Sequence, residues 1–141
     1  MQYFKLILFI IVSLILVTLL VEVVEFSLVA LVNDQSFSDL PQDQEVYFSL
    51  RNQTSILIAK PIYTFIVVLV VTYLGAKVLN RYRKLYFITL AIVQSIGILY
   101  GAFLSEFKES LPLWYWMLLL LVILIGFRVA FVISGKQPQI R

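Results

Sequence analysis

The chain contains no cysteine and no histidine. Without thiols it has no disulfide, no thiolate nucleophile and no Cys-based metal site, and its redox compartment is left open. Without imidazole it has no His-containing zinc site, no histidine haem ligand and not the commonest general base. Charge is scarce too, at 13% of residues, about half the usual share of a soluble domain. The net charge of +3 is spread over few basic residues, too dispersed for a phosphate-binding face, so nucleic acid is not an expected partner. No Gly-rich phosphate loop, His-Glu-x-x-His or Gly-x-Ser-x-Gly occurs. With no paired nucleophile and base, no enzyme is expected, and neither a cofactor nor a metal.

What is abundant is apolar. Hydrophobic residues make up 62% of the 141 positions, and the mean hydropathy is +0.99. A soluble domain of this size leaves too much of its chain near water to hide so many apolar side chains. Four runs reach spanning length, which is about 20 residues for a hydrocarbon core of roughly 30 Å. They cover about residues 4–32, 56–79, 85–104 and 113–133. The expectation is one all-α membrane domain, a polytopic four-transmembrane-helix bundle. The connections are an outer loop (33–55), an inner turn (80–84) and a second outer loop (105–112). The first run exceeds what a bilayer requires, so it tilts, protrudes, or ends near Glu25 with an interfacial extension. It is also too long for the apolar region of a cleaved signal peptide.

The connections set orientation. Lys77, Arg81, Arg83 and Lys84 cluster at the second turn, Lys5 lies at the start, and Lys136 and Arg141 follow the fourth run. The first loop instead carries Asp34, Asp39, Asp43 and Glu45 against a single Arg51, and the last holds Glu106, Lys108 and Glu109. Short Lys/Arg-rich loops stay cytoplasmic, which predicts both termini inside and a multi-pass protein of the cell membrane. Asp39-Leu40-Pro41 reads as a helix start. Leu40, Tyr47 and Leu50 would then rest a short helix on the membrane surface, although an irregular solvated loop fits equally. Pro61 near the start of the second run costs little if it falls in the first helical turn. Trp114, Tyr115 and Trp116 form an expected outer belt of interfacial anchors, with Tyr82 and Tyr86 marking the inner surface. Asn52-Gln53-Thr54 matches a glycosylation acceptor but abuts the second span, and reads as chance.

Small residues recur at spacings of four: Gly97, Gly101 and Ser105 on span three, and Gly126, Ala130 and Ser134 on span four. Such ladders let helix backbones approach closely. Their depths differ, so the expected contacts pair spans two and four at the inner side and spans one and three at the outer side.

The ionisable residues inside the apolar runs are the candidate site. Glu22 and Glu25, three apart on one helix face, lie at a depth similar to that of Lys60. A Glu22–Glu25–Lys60 charge cluster facing the bundle interior would satisfy groups otherwise stranded in hydrocarbon. Two carboxylates would then compete for one ammonium, and one could exchange protons. Gln94 and Ser27 could add hydrogen bonds. Arg128 is close enough to the inner end to snorkel.

With these residues placed, the chain resembles a group of small bacterial four-helix integral membrane proteins. The matching pieces are Leu20-Val21-Glu22, the Asp39–Leu50 loop, Tyr73-Leu74-Gly75-Ala76 and Leu111-Pro112-Leu113-Trp114-Tyr115-Trp116. It departs where those proteins often have Gly-His after the Glu, having Glu25-Phe26 instead. The resemblance implies a four-helix fold and a bacterial inner-membrane address, and brings no activity with it. A likeness to small multidrug-resistance transporters, also four short helices with a Glu in the first, is analogy alone. The leading expectation is therefore a non-enzymatic accessory or interaction subunit. Its partners would be the lipid bilayer and either another membrane protein or a second copy of itself. The alternative is a small oligomeric proton-coupled transporter using Glu22 and Glu25.

Overall fold

The computed structural model describes residues 2–34, 43–105 and 108–135. These form five α-helices: α1 (Gln2–Val32), α2 (Gln44–Arg51), α3 (Thr54–Val78), α4 (Arg83–Phe103) and α5 (Leu113–Gly135). Short 3-10 turns at Asn80–Tyr82 and Lys108–Ser110 complete the connections described. The fold is all-α, and α1, α3, α4 and α5 are each long and apolar enough to cross a membrane. The expected helix start at Asp39–Pro41 lies outside the described residues, as do Glu106, Lys136 and Arg141. Within them, α2 is capped by Asp43, whose carboxylate accepts the Glu45 N–H at 2.9 Å. Glu45 in the first turn and Arg51 in the last complement the helix dipole.

The bundle is built around α3, which touches α1, α4 and α5. Its buried residues are Ile56, Lys60, Tyr63, Thr64, Val68, Val71, Thr72, Gly75 and Ala76, a stripe at helical period. Against it α5 turns Ile123, Gly126, Phe127, Ala130 and Ser134, all buried. A Cβ at Gly126 would lie 3.0 Å from Val68 Cγ1, so the ladder on α5 does bring the two backbones close. On α1 Ser13, Val17, Glu25 and Val29 are buried, in a stripe that drifts slowly around the helix because each step of four falls about 40° from a full turn.

Two expectations at helix ends change. Because α3 begins at Thr54, Pro61 lies inside the helix rather than in its first turn. A proline there removes the N–H that would bond the carbonyl four residues back, which is that of Leu57. The Tyr115 hydroxyl, arriving from α5, donates to that carbonyl at 2.6 Å. The second change is Tyr86, which is fully buried rather than at a surface. Its hydroxyl pairs with Ser13 Oγ at 2.6 Å, joining α4 to α1, and its ring occupies the space that Gly75 leaves open on α3. Tyr82 is half-buried and stacks on Tyr3, with ring centroids 5.6 Å apart.

A Cβ at Gly75 would come within 2.8 Å of Tyr86 Cζ, whereas one at Gly97 meets nothing within 4 Å. Gly75→Ala is therefore expected to lower stability by about 1–3 kcal/mol through overpacking. Gly97→Ala should be neutral or slightly stabilising, since Ala is the better helix former. Melting temperatures of the two variants in one detergent check the contrast. A second check concerns Pro61. Tyr115→Phe should cost about 1–3 kcal/mol by orphaning the Leu57 carbonyl, and much less in a Pro61→Ala background that restores the backbone donor.

Candidate functional site

Glu25 is completely buried, and three side chains from two other helices converge on it. Arg51, the last residue of α2, reaches in so that its Nε pairs with Oε1. Lys60 of α3 places its Nζ on Oε2. Tyr63, one turn along α3 from Lys60, donates its hydroxyl to the same Oε2 at 2.8 Å. Lys60 and Tyr63 share a helix face because three residues advance α3 by nearly one turn, and both belong to its buried stripe.

Glu22 behaves differently. Positions three apart on a helix are offset by about 60° in projection, at 3.6 residues per turn. That offset is enough to leave the Glu22 side chain 54% exposed, with Arg51 Nη2 at 3.7 Å from Oε1. The expected competition of two carboxylates for one ammonium is thus reversed, with Arg51 and Lys60 sharing Glu25 while Glu22 holds only the outer flank of Arg51. Ser27 takes no part, since its hydroxyl donates back to Val23 O at 2.7 Å.

Tyr63 and Arg51 are the Glu25 partners that sequence reasoning missed, Arg51 being the less obvious. In the linear chain it is one cation among loop acids. The signal available was its place at the end of an amphipathic helix whose Tyr47 and Leu50 are apolar. Those two residues pack on Val29, Ala30 and Ile56, which seats α2 across the ends of α1 and α3. Burial against this face, and next the nearby Glu25 carboxylate, push the Tyr47 phenol above its ordinary pKa. The corner after α2 is tied down by its amides. Asn52 Nδ2 donates to Ser110 O at 2.7 Å, and Gln53 Nε2 to Asn33 Oδ1 at 2.8 Å. An Asn52 side chain engaged in this way is a poor glycosylation acceptor.

Beside the cluster lies a cavity of about 510 Å³. One wall is α1 (Val17, Thr18, Val21, Glu22) and the facing wall is α4 (Gln94, Gly97, Ile98, Gly101). Arg51 and Asn52 close the α2 end, and Lys60, Thr64, Trp116, Leu119 and Ile123 form the back. The α4 ladder therefore does not pack on α1 as expected. Gly97 faces open space, and Gly101 lies against the Trp116 ring, a Cβ there being 3.2 Å from Cζ3. Gln94 is on the cavity wall rather than in the charge cluster. Nor do the three aromatic residues of α5 form one belt, because consecutive helix residues point about 100° apart. Trp114 is exposed at 67% and Tyr115 is buried at 2%, while Trp116 is half-buried on the cavity wall. Among the described residues no group of His, Cys, Asp and Glu is arranged to hold a metal ion.

Comparison of the chain with known protein families, curated proteins and solved structures finds no match.

The two carboxylates should respond very differently to substitution. Glu25→Ala leaves Lys60 buried without its counter-charge and Arg51 with Glu22 alone, and is expected to cost about 3–5 kcal/mol. Glu22→Gln removes only an exposed flank contact, and should change stability by about 1 kcal/mol or less. Thermal unfolding in detergent, read by near-ultraviolet circular dichroism, distinguishes the two.

Proposed function

We propose that the chain is a multi-pass integral membrane protein with both termini cytoplasmic and no catalytic role of its own. It serves as an accessory component that holds an amphipathic molecule within the bilayer. The observation that carries this reading is the cavity between α1 and α4. Its volume of about 510 Å³ falls in the range of small-molecule sites, which are mostly apolar with a few placed polar groups. Here the apolar wall comes from Val17, Val21, Ile98, Leu119 and Ile123, and the polar groups gather towards α2. The flanking helices expose apolar side chains such as Leu19, Val23, Ile96 and Tyr100, so the approach is from lipid.

The membrane setting is supported by four helices of spanning length, and the orientation by the basic residues near the 80–82 turn against the acidic first loop. The bacterial inner-membrane address rests on the resemblance to small four-helix proteins. A second reading, a proton-coupled transporter, is favoured by one observation: Glu22 is half-exposed and lies on the cavity wall. Glu25, with both oxygens in ion pairs, is poorly placed to exchange protons, so such a carrier would work through Glu22.

Two measurements test these readings. The chain has no cysteine, so single cysteines can be introduced without background. A membrane-impermeant maleimide should label Ser49→Cys in intact spheroplasts and Asn80→Cys only after lysis; the opposite pattern rejects the orientation. Native mass spectrometry of protein extracted in mild detergent should show a bound amphiphile on the wild type that is lost in Gly97→Leu. Proton-dependent solute uptake into proteoliposomes, abolished by Glu22→Gln, would instead favour the transporter.

A further inference from the structure

We infer that the molecule held in the α1–α4 cavity is an uncharged amphiphile whose head carries a hydroxyl group, such as a glycerol monoester of a fatty acid. The inference rests on the reading of the cavity as a ligand site, and concerns which chemistry the site selects. Its first ground is the charge balance of the wall. Arg51 lies between Glu22 and Glu25, and Lys60 pairs with Glu25. Two cations and two carboxylates therefore cancel, and among the described residues lining the cavity no further charge occurs. A charged head would have to draw Glu22, Arg51 or Lys60 away from its present partner, a costly exchange.

The second ground is what the wall leaves unsatisfied. Three of its residues carry a buried polar atom with no hydrogen-bond partner among the described residues: Asn52 Oδ1, Thr64 Oγ1 and Trp116 Nε1. Thr64 is the most telling. Helical Ser and Thr hydroxyls commonly return to the carbonyl four residues back. Thr18 does so at 3.0 Å, Thr72 at 2.6 Å and Ser27 at 2.7 Å. Thr64, only 4% exposed, does not, and its hydroxyl is left buried and without a partner in a residue that lines the cavity. Buried polar groups are rarely left unpaired, so something beyond the protein is expected to meet these three.

The kinds of atom then select the head. Trp116 offers only a donor, Asn52 Oδ1 only an acceptor, and Thr64 either. A head that meets all three must both donate and accept. A carboxylate has no proton to give Asn52, and an ammonium has no lone pair for Trp116. A hydroxyl, or better two on adjacent carbons, supplies both and brings no charge. The apolar wall takes the start of a chain whose remainder continues into the surrounding lipid.

The test uses Trp116 as reporter. The chain has two tryptophans, so Trp114→Phe leaves Trp116 as the sole indole. That protein, in nanodiscs, is titrated with three probes sharing one brominated acyl or alkyl chain: a monoacylglycerol, a fatty acid at alkaline pH and a quaternary ammonium. The monoacylglycerol should quench Trp116 saturably, with each charged probe weaker by about tenfold or more, one hydrogen bond or charge mismatch of this kind being worth about 1.4 kcal/mol. Thr64→Val should weaken it by about 2–10-fold, the value of a single neutral hydrogen bond. Gly97→Leu, which fills open space, should abolish saturation without lowering the melting temperature, and Val21→Trp, filling the cavity from the α1 wall, should do the same. A charged probe that binds as tightly as the monoacylglycerol, and is excluded by Gly97→Leu, overturns the uncharged head but leaves the cavity a ligand site. Quenching that no probe saturates, or that both filling variants leave unchanged, overturns the ligand site as well.

Discussion

The arrangement depends first on the buried carboxylate of Glu25. A charge with no exposure in an apolar interior persists only where partners offset its desolvation on every side. Those partners come from separate elements, Arg51 from α2 and Lys60 with Tyr63 from α3. One carboxylate thus joins three helices at a single point. Its contribution is less a gain in net stability than a penalty on alternatives. Any rotation of α1 that turned Glu25 outward would set one carboxylate among exposed apolar side chains and leave Lys60 buried without its counter-charge.

That constraint has consequences for shape. Holding α1 against α3 through Glu25 leaves its C-terminal half apart from α4, and the two meet instead near Ser13 and Tyr86. Between these places the helices stand apart, and the cavity is what remains. α2 is needed to close it, because Arg51 both caps the carboxylate and forms the end wall. The Asn52 bond to Ser110 holds the same corner to the loop before α5. The α5 side is fixed by other means, through the Gly126–Val68 approach and the Tyr115 hydroxyl on the carbonyl that Pro61 frees. The charge cluster, the proline and the cavity are therefore parts of one construction at the α2 end of the bundle.

Much of this was legible in the residues, and the failures are specific. The number and approximate limits of the four long helices follow from the apolar runs, because hydropathy and length are properties of each segment and not of its packing. The importance of Glu25 and Lys60 was also legible, since ionisable groups in apolar runs demand partners. Arg51 was not, because its one local sign, a place at the end of an amphipathic helix, does not say that the side chain turns inward. Glu22 and Glu25 do share one ion-pair network, through Arg51, but their equal burial was wrongly expected, a one-turn spacing sharing a face only to within about 60°. Reading Trp114, Tyr115 and Trp116 as one belt failed for the same reason. The Gly97 ladder was misassigned because a small residue permits close approach without requiring that a neighbour take the space.

What the sequence determined by itself is the kind of object: an all-α chain of four long apolar helices with two carboxylates and a lysine where charge is costly. Hydropathy and length suffice for that, being properties of segments rather than of their neighbours. Only the tertiary structure decided which carboxylate is buried and which is exposed, that Arg51 joins both, and that α1 and α4 border a cavity rather than a seam. Those outcomes depend on helix rotation and on which pairs of helices touch. In apolar surroundings these are settled by a few polar contacts and small-residue approaches, since a hydrophobic stripe has little preference among apolar neighbours.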